Sequence, residues 1–238
     1  MPLRGILFDL DDTLADSSGV EEAIWERVVE AIAEHVPGVD AAELRRRYLA
    51  VLEQHYAPLA AGQIDFITFR RNRLADALGP WGEVSDELFE RYVREKERIA
   101  DEMRPFPDAI ATVRALQAQG IKVGVLTNGP SGFQRRKLEV SGLGTELDAI
   151  AISGELGVAK PDREAFERAL ELLGTKADET AMVGDSLEND VLGGIEAGLA
   201  AVVWLPGRRQ GDAPPGAHVA RALAEVPALL QSLTPNAM

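Results

Sequence analysis

The stretch Phe8-Asp9-Leu10-Asp11-Asp12-Thr13-Leu14 ends an apolar run in three carboxylates and a hydroxyl. Upstream, Ile6-Leu7-Phe8 has the continuous apolar character of a short strand covered on both faces, as in a parallel sheet. Side chains two apart on an extended backbone project to the same side. Asp9 and Asp11 therefore face one cleft, while Leu10 turns back into packing and Asp12 faces elsewhere. Two carboxylates held that close repel, and a fold keeps them only if a cation neutralises them or one holds a proton. Either condition suits catalysis. Taken alone, the stretch also reads as a capped turn after a strand, because Asp and Thr are ordinary turn formers.

Residues 17–104 read as helices only. Ser18 with Glu21 forms a capping-box pattern, Val20, Ile24, Val28 and Ile32 share a face, and Pro37-Gly38 closes the segment. Asp40 with Glu43 repeats the device before a second helix carrying Leu44, Tyr48, Val51 and Leu52. A third helix is expected over 65–78 and a fourth from Ser85 toward Met103. At Pro105-Phe106-Pro107-Asp108 the pattern changes to alternating helices and short apolar strands. Helices are predicted over 108–119, 133–140, 162–173 and 188–197, and strands over 121–126, 149–153, 181–183 and 200–204. A turn-rich loop over 206–216, a short strand near His218 and a helix around Leu229 follow. This is the alternation of an α/β fold, a doubly wound, Rossmann-like parallel sheet. Residues 1–16 and 105–238 form its core, and 17–104 an inserted helical cap. Entering beside the carboxylates, the cap is positioned to act as a lid.

Composition narrows the chemistry. The 238 residues contain no cysteine and three histidines, which removes thiolate nucleophiles and cysteine-bound zinc and makes any metal site oxygen-rich. A formal charge of −14, from 25 basic and 39 acidic residues, argues against nucleic-acid polymers and anionic membranes as partners. A small anionic substrate is still accommodated, since a metal ion, one lysine and helix N-termini can hold phosphate on an acidic protein. No apolar run is long enough to cross a bilayer and the start lacks a signal-peptide pattern, so the expected compartment is the cytoplasm.

Open parallel sheets bind ligands outside the carboxyl ends of their strands. Three further polar clusters fall at that edge. Thr127-Asn128-Gly129 offers a hydroxyl and amides to an anionic oxygen. Gly184-Asp185-Ser186-Leu187-Glu188-Asn189-Asp190 puts one acid at a strand end and another near a helix start. In Lys160-Pro161-Asp162 the proline holds the lysine out of helical geometry. Singly these read as a loop, a helix cap and a solvent-facing lysine; together they read as a site.

At these residues the sequence resembles the haloacid dehalogenase superfamily, in the phosphatase branch with an α-helical cap after the first strand. Asp9-Leu10-Asp11-Asp12-Thr13 corresponds to the first motif, Thr127 to the second, Lys160 to the third, and Asp185 with Asp190 to the fourth. Thr127-Asn128-Gly129 and the 184–194 segment are similar to the subgroup of N-acylneuraminate-9-phosphatase and pyrimidine 5'-nucleotidases. The resemblance implies a magnesium-dependent phosphatase in which Asp9 attacks phosphorus to form an aspartyl phosphate. Asp11 would be acid and then base. Magnesium would be held by Asp9, Asp185 and the backbone carbonyl of Asp11, supported by Asp190. Thr127, Asn128 and Lys160 would bind the phosphate. Many members carry glycine where Asp12 stands, so Asp12 is expected to make a turn or a helix-end contact. A phosphomutase, a 2-haloacid dehalogenase and a non-catalytic binding protein are the competing readings. Arg45-Arg46-Arg47, His55, Arg70-Arg71 and Arg135-Arg136-Lys137 are candidates to meet an anionic substrate, although such helix residues usually face solvent.

Overall fold

The run Ile6-Leu7-Phe8 lies within β1, Gly5–Phe8, every residue of which is buried. The computed structural model describes residues 2–60, 63–207 and 211–233. It places β1 inside a six-stranded sheet with β2 (Lys122–Thr127), β3 (Ala149–Ile152), β4 (Thr180–Gly184), β5 (Ala201–Trp204) and β6 (His218–Val219), in the order β3-β2-β1-β4-β5-β6. All five pairings are parallel. Phe8 is level with Val125 on one side and Val183 on the other, and Thr127 with Ile152. That register brings Asp9, Thr127 and Asp185 out at one edge. β2 runs one residue further than expected, so Thr127 ends the strand instead of following it.

The chain forms two compact units, residues 1–18 with 100–238, and 19–99. The helices before β2 are α1 (Ser17–Ala33), α2 (Ala41–Ala50), α3 (Leu52–Ala60), α4 (Phe66–Leu78), α5 (Asp86–Asp101) and α6 (Ala109–Gln117). Asp40 and Asp65 cap α2 and α4 by accepting from the backbone N–H of Glu43 and Thr68. The expected second helix is two helices, because the backbone leaves helical geometry at Val51 (ψ 5°) and α3 restarts at Leu52. Within the 19–99 unit, Tyr48 and Tyr92 are buried with their hydroxyls 2.6 Å apart, and Trp25 lies 5.1 Å from Tyr48 between ring centroids. Arg73 stacks over the Tyr48 ring at 3.6 Å and donates to its carbonyl, which provides a partner for a buried cation.

In the larger unit, α7 (Ser131–Val140), α8 (Ser153–Leu156), α9 (Arg163–Leu173), α10 (Gly193–Glu196) and α11 (Val226–Leu233) complete the set. α9 packs on β2 and β3 through Ala165, Phe166, Ala169, Leu170 and Leu173, an apolar stripe at helical spacing. Phe166, Ala169, Leu170 and Leu173 of this stripe join Leu7, Leu126, Ala151 and Met182 in one core. The helix expected over 188–197 begins instead as a wide turn, Leu187–Leu192, in which Val191 N–H reaches back five residues to Ser186 O, before α10 takes over. Of the expected 206–216 loop, residues 208–210 lie outside the described residues.

The turn after β1 explains Asp12. Its φ is +61°, its N–H donates to Ala15 O at 2.8 Å, and its carboxylate accepts Ser18 N–H at 2.7 Å and the Ser18 hydroxyl. The expected Ser18–Glu21 capping box does not form. Ser18 spends its hydroxyl on Asp12, α1 starts at Ser17, ahead of the expected cap, and Glu21 pairs with Lys96. Asp12→Ala removes this helix-start contact and the polar side chain that helps aspartate tolerate positive φ, so it should lower stability by about 1–2 kcal/mol. Asp12→Gly, which keeps the φ at no steric cost, should lose less. Chemical denaturation of both variants checks this; equal loss would contradict it.

Candidate active site

At the centre is Lys160, which is 2% exposed. Its ammonium donates to Asp9 Oδ1 and to Asp190 Oδ1, each at 2.6 Å. Several elements hold it there. The Asn128 side chain grips the Lys160 backbone twice, accepting from its N–H at 2.9 Å and donating to its carbonyl at 2.8 Å. Asp190 comes from the wide turn and accepts Ser186 N–H on its other oxygen at 2.9 Å. Gly184 admits that carboxylate, since a β-carbon there would lie 2.3 Å from Asp190 Cγ. Asp9 N–H donates to Val183 O, and the indole of buried Trp204 donates to the carbonyl of Asp185.

Burial pushes the Asp9 carboxyl well above its ordinary value. Lys160 opposes that shift, while the carboxylates of Asp190, Asp185 and Asp11 reinforce it. Burial would lower the Lys160 ammonium, but Asp190 and Asp9 outweigh it and raise its pKa, so the lysine keeps its proton. One ammonium thus faces three buried acids, and oxygens of Asp9, Asp185 and Asp190 lie within 4.8 Å of one another. An all-oxygen set with surplus negative charge fits a hard cation such as magnesium. Both Asp190 oxygens already accept hydrogen bonds, which suits it to supporting a cation that Asp9 and Asp185 would hold.

Beside this cluster, Asp11 is partly buried and accepts from Lys137 Nζ at 2.6 Å and Gln134 Nε2 at 2.9 Å. The Gln134 amide also donates to Thr127 Oγ1 at 2.5 Å, which leaves the threonine its own proton to give. Burial raises the Asp11 carboxyl, but the charge of Lys137 and hydrogen bonds from Lys137, Gln134 and Ser17 bring it below the ordinary range.

Asn128, expected at the phosphate, bonds the Lys160 backbone through its side chain. The Arg135-Arg136-Lys137 run splits: Arg135 pairs with Glu155 and Arg136 with Asp101, but Lys137 turns inward. Gln134 was not singled out at all. The available signal was that Gln134 and Lys137 are one helical turn apart directly after the Thr127 turn.

In the 19–99 unit, Arg46 pairs with Glu43, Arg47 donates to Asp76 O and Ala77 O, Arg71 pairs with Asp86, and His55 with Asp76. Arg45 lies over Trp25 and near Glu22. Arg70 is buried with its guanidinium 4.4 Å over the Phe66 ring, and burial lowers its pKa.

Residues 3–198 match the model of the haloacid dehalogenase-like hydrolases. The chain belongs to this family. It is 32% identical over 204 residues to the pyrimidine 5'-nucleotidase YjjG of Escherichia coli, covering 84% of each chain. To the N-acylneuraminate-9-phosphatase of Mus musculus it is 29% identical over 236 residues, covering 97% of this chain and 95% of the other. These relatives represent the subgroup that the motifs indicated. Among solved structures, the HAD-hydrolase YfnB from Bacillus subtilis, bound to magnesium and described as revealing interdomain movement, matches with a TM-score of 0.79 at 26% identity, over 97% of this chain and 99% of that one. The chain is accordingly a hydrolase with a parallel α/β core. No described helix is long and apolar enough to cross a membrane.

A raised folded-state pKa at Asp9 means the folded protein binds that proton more tightly than the unfolded chain. Its stabilising contribution is present at low pH and is lost as pH rises through the folded value. In chelator, Asp9→Asn should therefore melt higher than wild type by a margin that grows from about pH 4 to about pH 7. A margin that stays flat or shrinks would contradict the charge account.

Proposed function

We propose that the chain is a magnesium-dependent phosphatase that hydrolyses a small phosphorylated metabolite through an aspartyl-phosphate intermediate. The observation that carries this reading is the Lys160 ammonium held between Asp9 and Asp190, with Asp185 in the same oxygen cluster and Asp11 two residues from the nucleophile.

Asp9 forms a bond from its carboxylate oxygen to phosphorus as the bond to the leaving oxygen breaks. Asp11 gives its proton to that oxygen, then takes one from the water whose oxygen attacks phosphorus and frees Asp9. Thr127 donates its hydroxyl proton to a phosphoryl oxygen. Lys160 fixes the orientation of Asp9 and offsets the charge gathered around it. Asp9, Asp185 and the Asp11 carbonyl would hold a magnesium ion, which would supply positive charge to the phosphoryl oxygens. The helical segment, inserted directly after the Asp9–Thr13 stretch, is assigned the selection of substrate. The named relatives, a nucleotidase and a sugar-acid phosphatase, make phosphorylated small molecules the class to screen.

Purified protein should release phosphate from para-nitrophenyl phosphate with magnesium, lose that activity in chelator, and fall to background as Asp9→Asn. A screen of sugar phosphates, nucleotides and phosphoglycolate then identifies the preferred substrate by phosphate release. Full turnover by Asp9→Asn would overturn the mechanism.

A further inference from the structure

Helix α7 carries two polar side chains into the interior one turn apart, Gln134 and Lys137, which are 1% and 4% exposed. An amide and an ammonium withdrawn from water need partners. Both have them on Asp11: Lys137 on Oδ1 and Gln134 on Oδ2. Two donors on two different oxygens fix the carboxylate in place and also fix its rotation about its last bond. Gln134 further binds Thr127, so one amide nitrogen ties the end of β2 to the turn after β1.

The local backbone is shaped to allow this. Gly129 has φ +145°, and a β-carbon there would lie 3.0 Å from Gln134 Cγ, so the turn after Thr127 makes room for that side chain. Gln134 N–H is held by Pro130 O at 3.0 Å. Arg135 and Arg136, which lie between them, find partners at the surface instead.

We propose that Gln134 and Lys137 are positioning residues that hold the Asp11 carboxylate in the orientation in which it transfers its proton, and that Gln134 keeps it aligned with Thr127. The proposal rests on the phosphatase reading, with Asp11 as the proton carrier. In the first step the Asp9–phosphorus bond forms, the bond to the leaving oxygen breaks, and that oxygen takes the Asp11 proton. A nitrophenolate leaves without needing that proton, whereas an alkoxide needs it. Misplacing Asp11 therefore penalises alkyl phosphates most.

The test compares kcat/KM for para-nitrophenyl phosphate with that for the best alkyl phosphate of the substrate screen. In Lys137→Met, the aryl-to-alkyl ratio should rise by about tenfold or more over wild type. Lys137→Gln leaves a neutral polar group facing Asp11, so it serves if the methionine variant does not fold; its shorter side chain should hold Asp11 less well and raise the same ratio, by less than methionine does. Equal losses on both substrates, or none, would overturn the proposal. With Asp11→Asn already present, adding Lys137→Met should leave the ratio where Asp11→Asn alone puts it; a further shift would show that Lys137 does not act through Asp11. If wild type hydrolyses neither substrate, the phosphatase reading fails first and takes the proposal with it.

Discussion

The contact between the Lys160 ammonium and the carboxylates of Asp9 and Asp190 organises the rest of this site. It joins three segments distant in sequence and is buried on all sides. It also leaves the charge unbalanced. Carboxylate oxygens within 4.8 Å of one another repel, when ionised, by about 3–4 kcal/mol per pair at an effective dielectric near 20. Lys160 offsets part of this, but three ionised carboxylates against one ammonium still leave net negative charge in a buried site, which is costly to hold out of water. The cation-free protein can relieve this by protonating Asp9, the direction in which its pKa is driven. A divalent cation would relieve it while leaving Asp9 ionised, the state that the proposed nucleophilic role requires. The same ion would stabilise the fold by mass action.

The surroundings give Asp9 and Asp11 opposite tendencies. Asp9 sits among acids and is pushed up; Asp11 sits against Lys137 and Gln134 and is held down. On the phosphatase reading both tendencies reverse when the site fills. Positive charge near Asp9 lowers it, and phosphate negative charge near Asp11 raises it toward the protonated form that a general acid needs. The resting arrangement therefore keeps chemistry dependent on occupancy.

Much of this was readable from the sequence because the carriers are placed by strand ends. A short apolar run fixes where a strand stops, and Asp9, Thr127 and Asp185 follow or close such runs. Lys160 and Asp190 came from local punctuation, a proline and a helix start. What escaped was decided by tertiary partners. Lys137 follows two arginines, and nothing in that charge run separates the inward lysine from its outward neighbours; Asp11, 126 residues away, does so. The bonds of the Asn128 amide to the Lys160 backbone likewise depend on a segment 32 residues away. The Ser18 capping box failed for a similar reason, since Asp12 offered the serine a stronger acceptor. The wide turn at Leu187–Leu192 keeps a helical pattern in sequence and departs from it where Asp190 turns back to Lys160 and Ser186.

The most direct measurement of the central claim is a calorimetric titration of magnesium into cation-stripped wild type, Asp185→Asn and Asp11→Asn proteins. One ion should bind per wild-type chain, with affinity weakened by about tenfold or more in Asp185→Asn. Asp11→Asn should bind much as wild type does, because the donor expected there is a backbone carbonyl. Equal affinity in wild type and Asp185→Asn, or loss of binding in Asp11→Asn, would contradict the account.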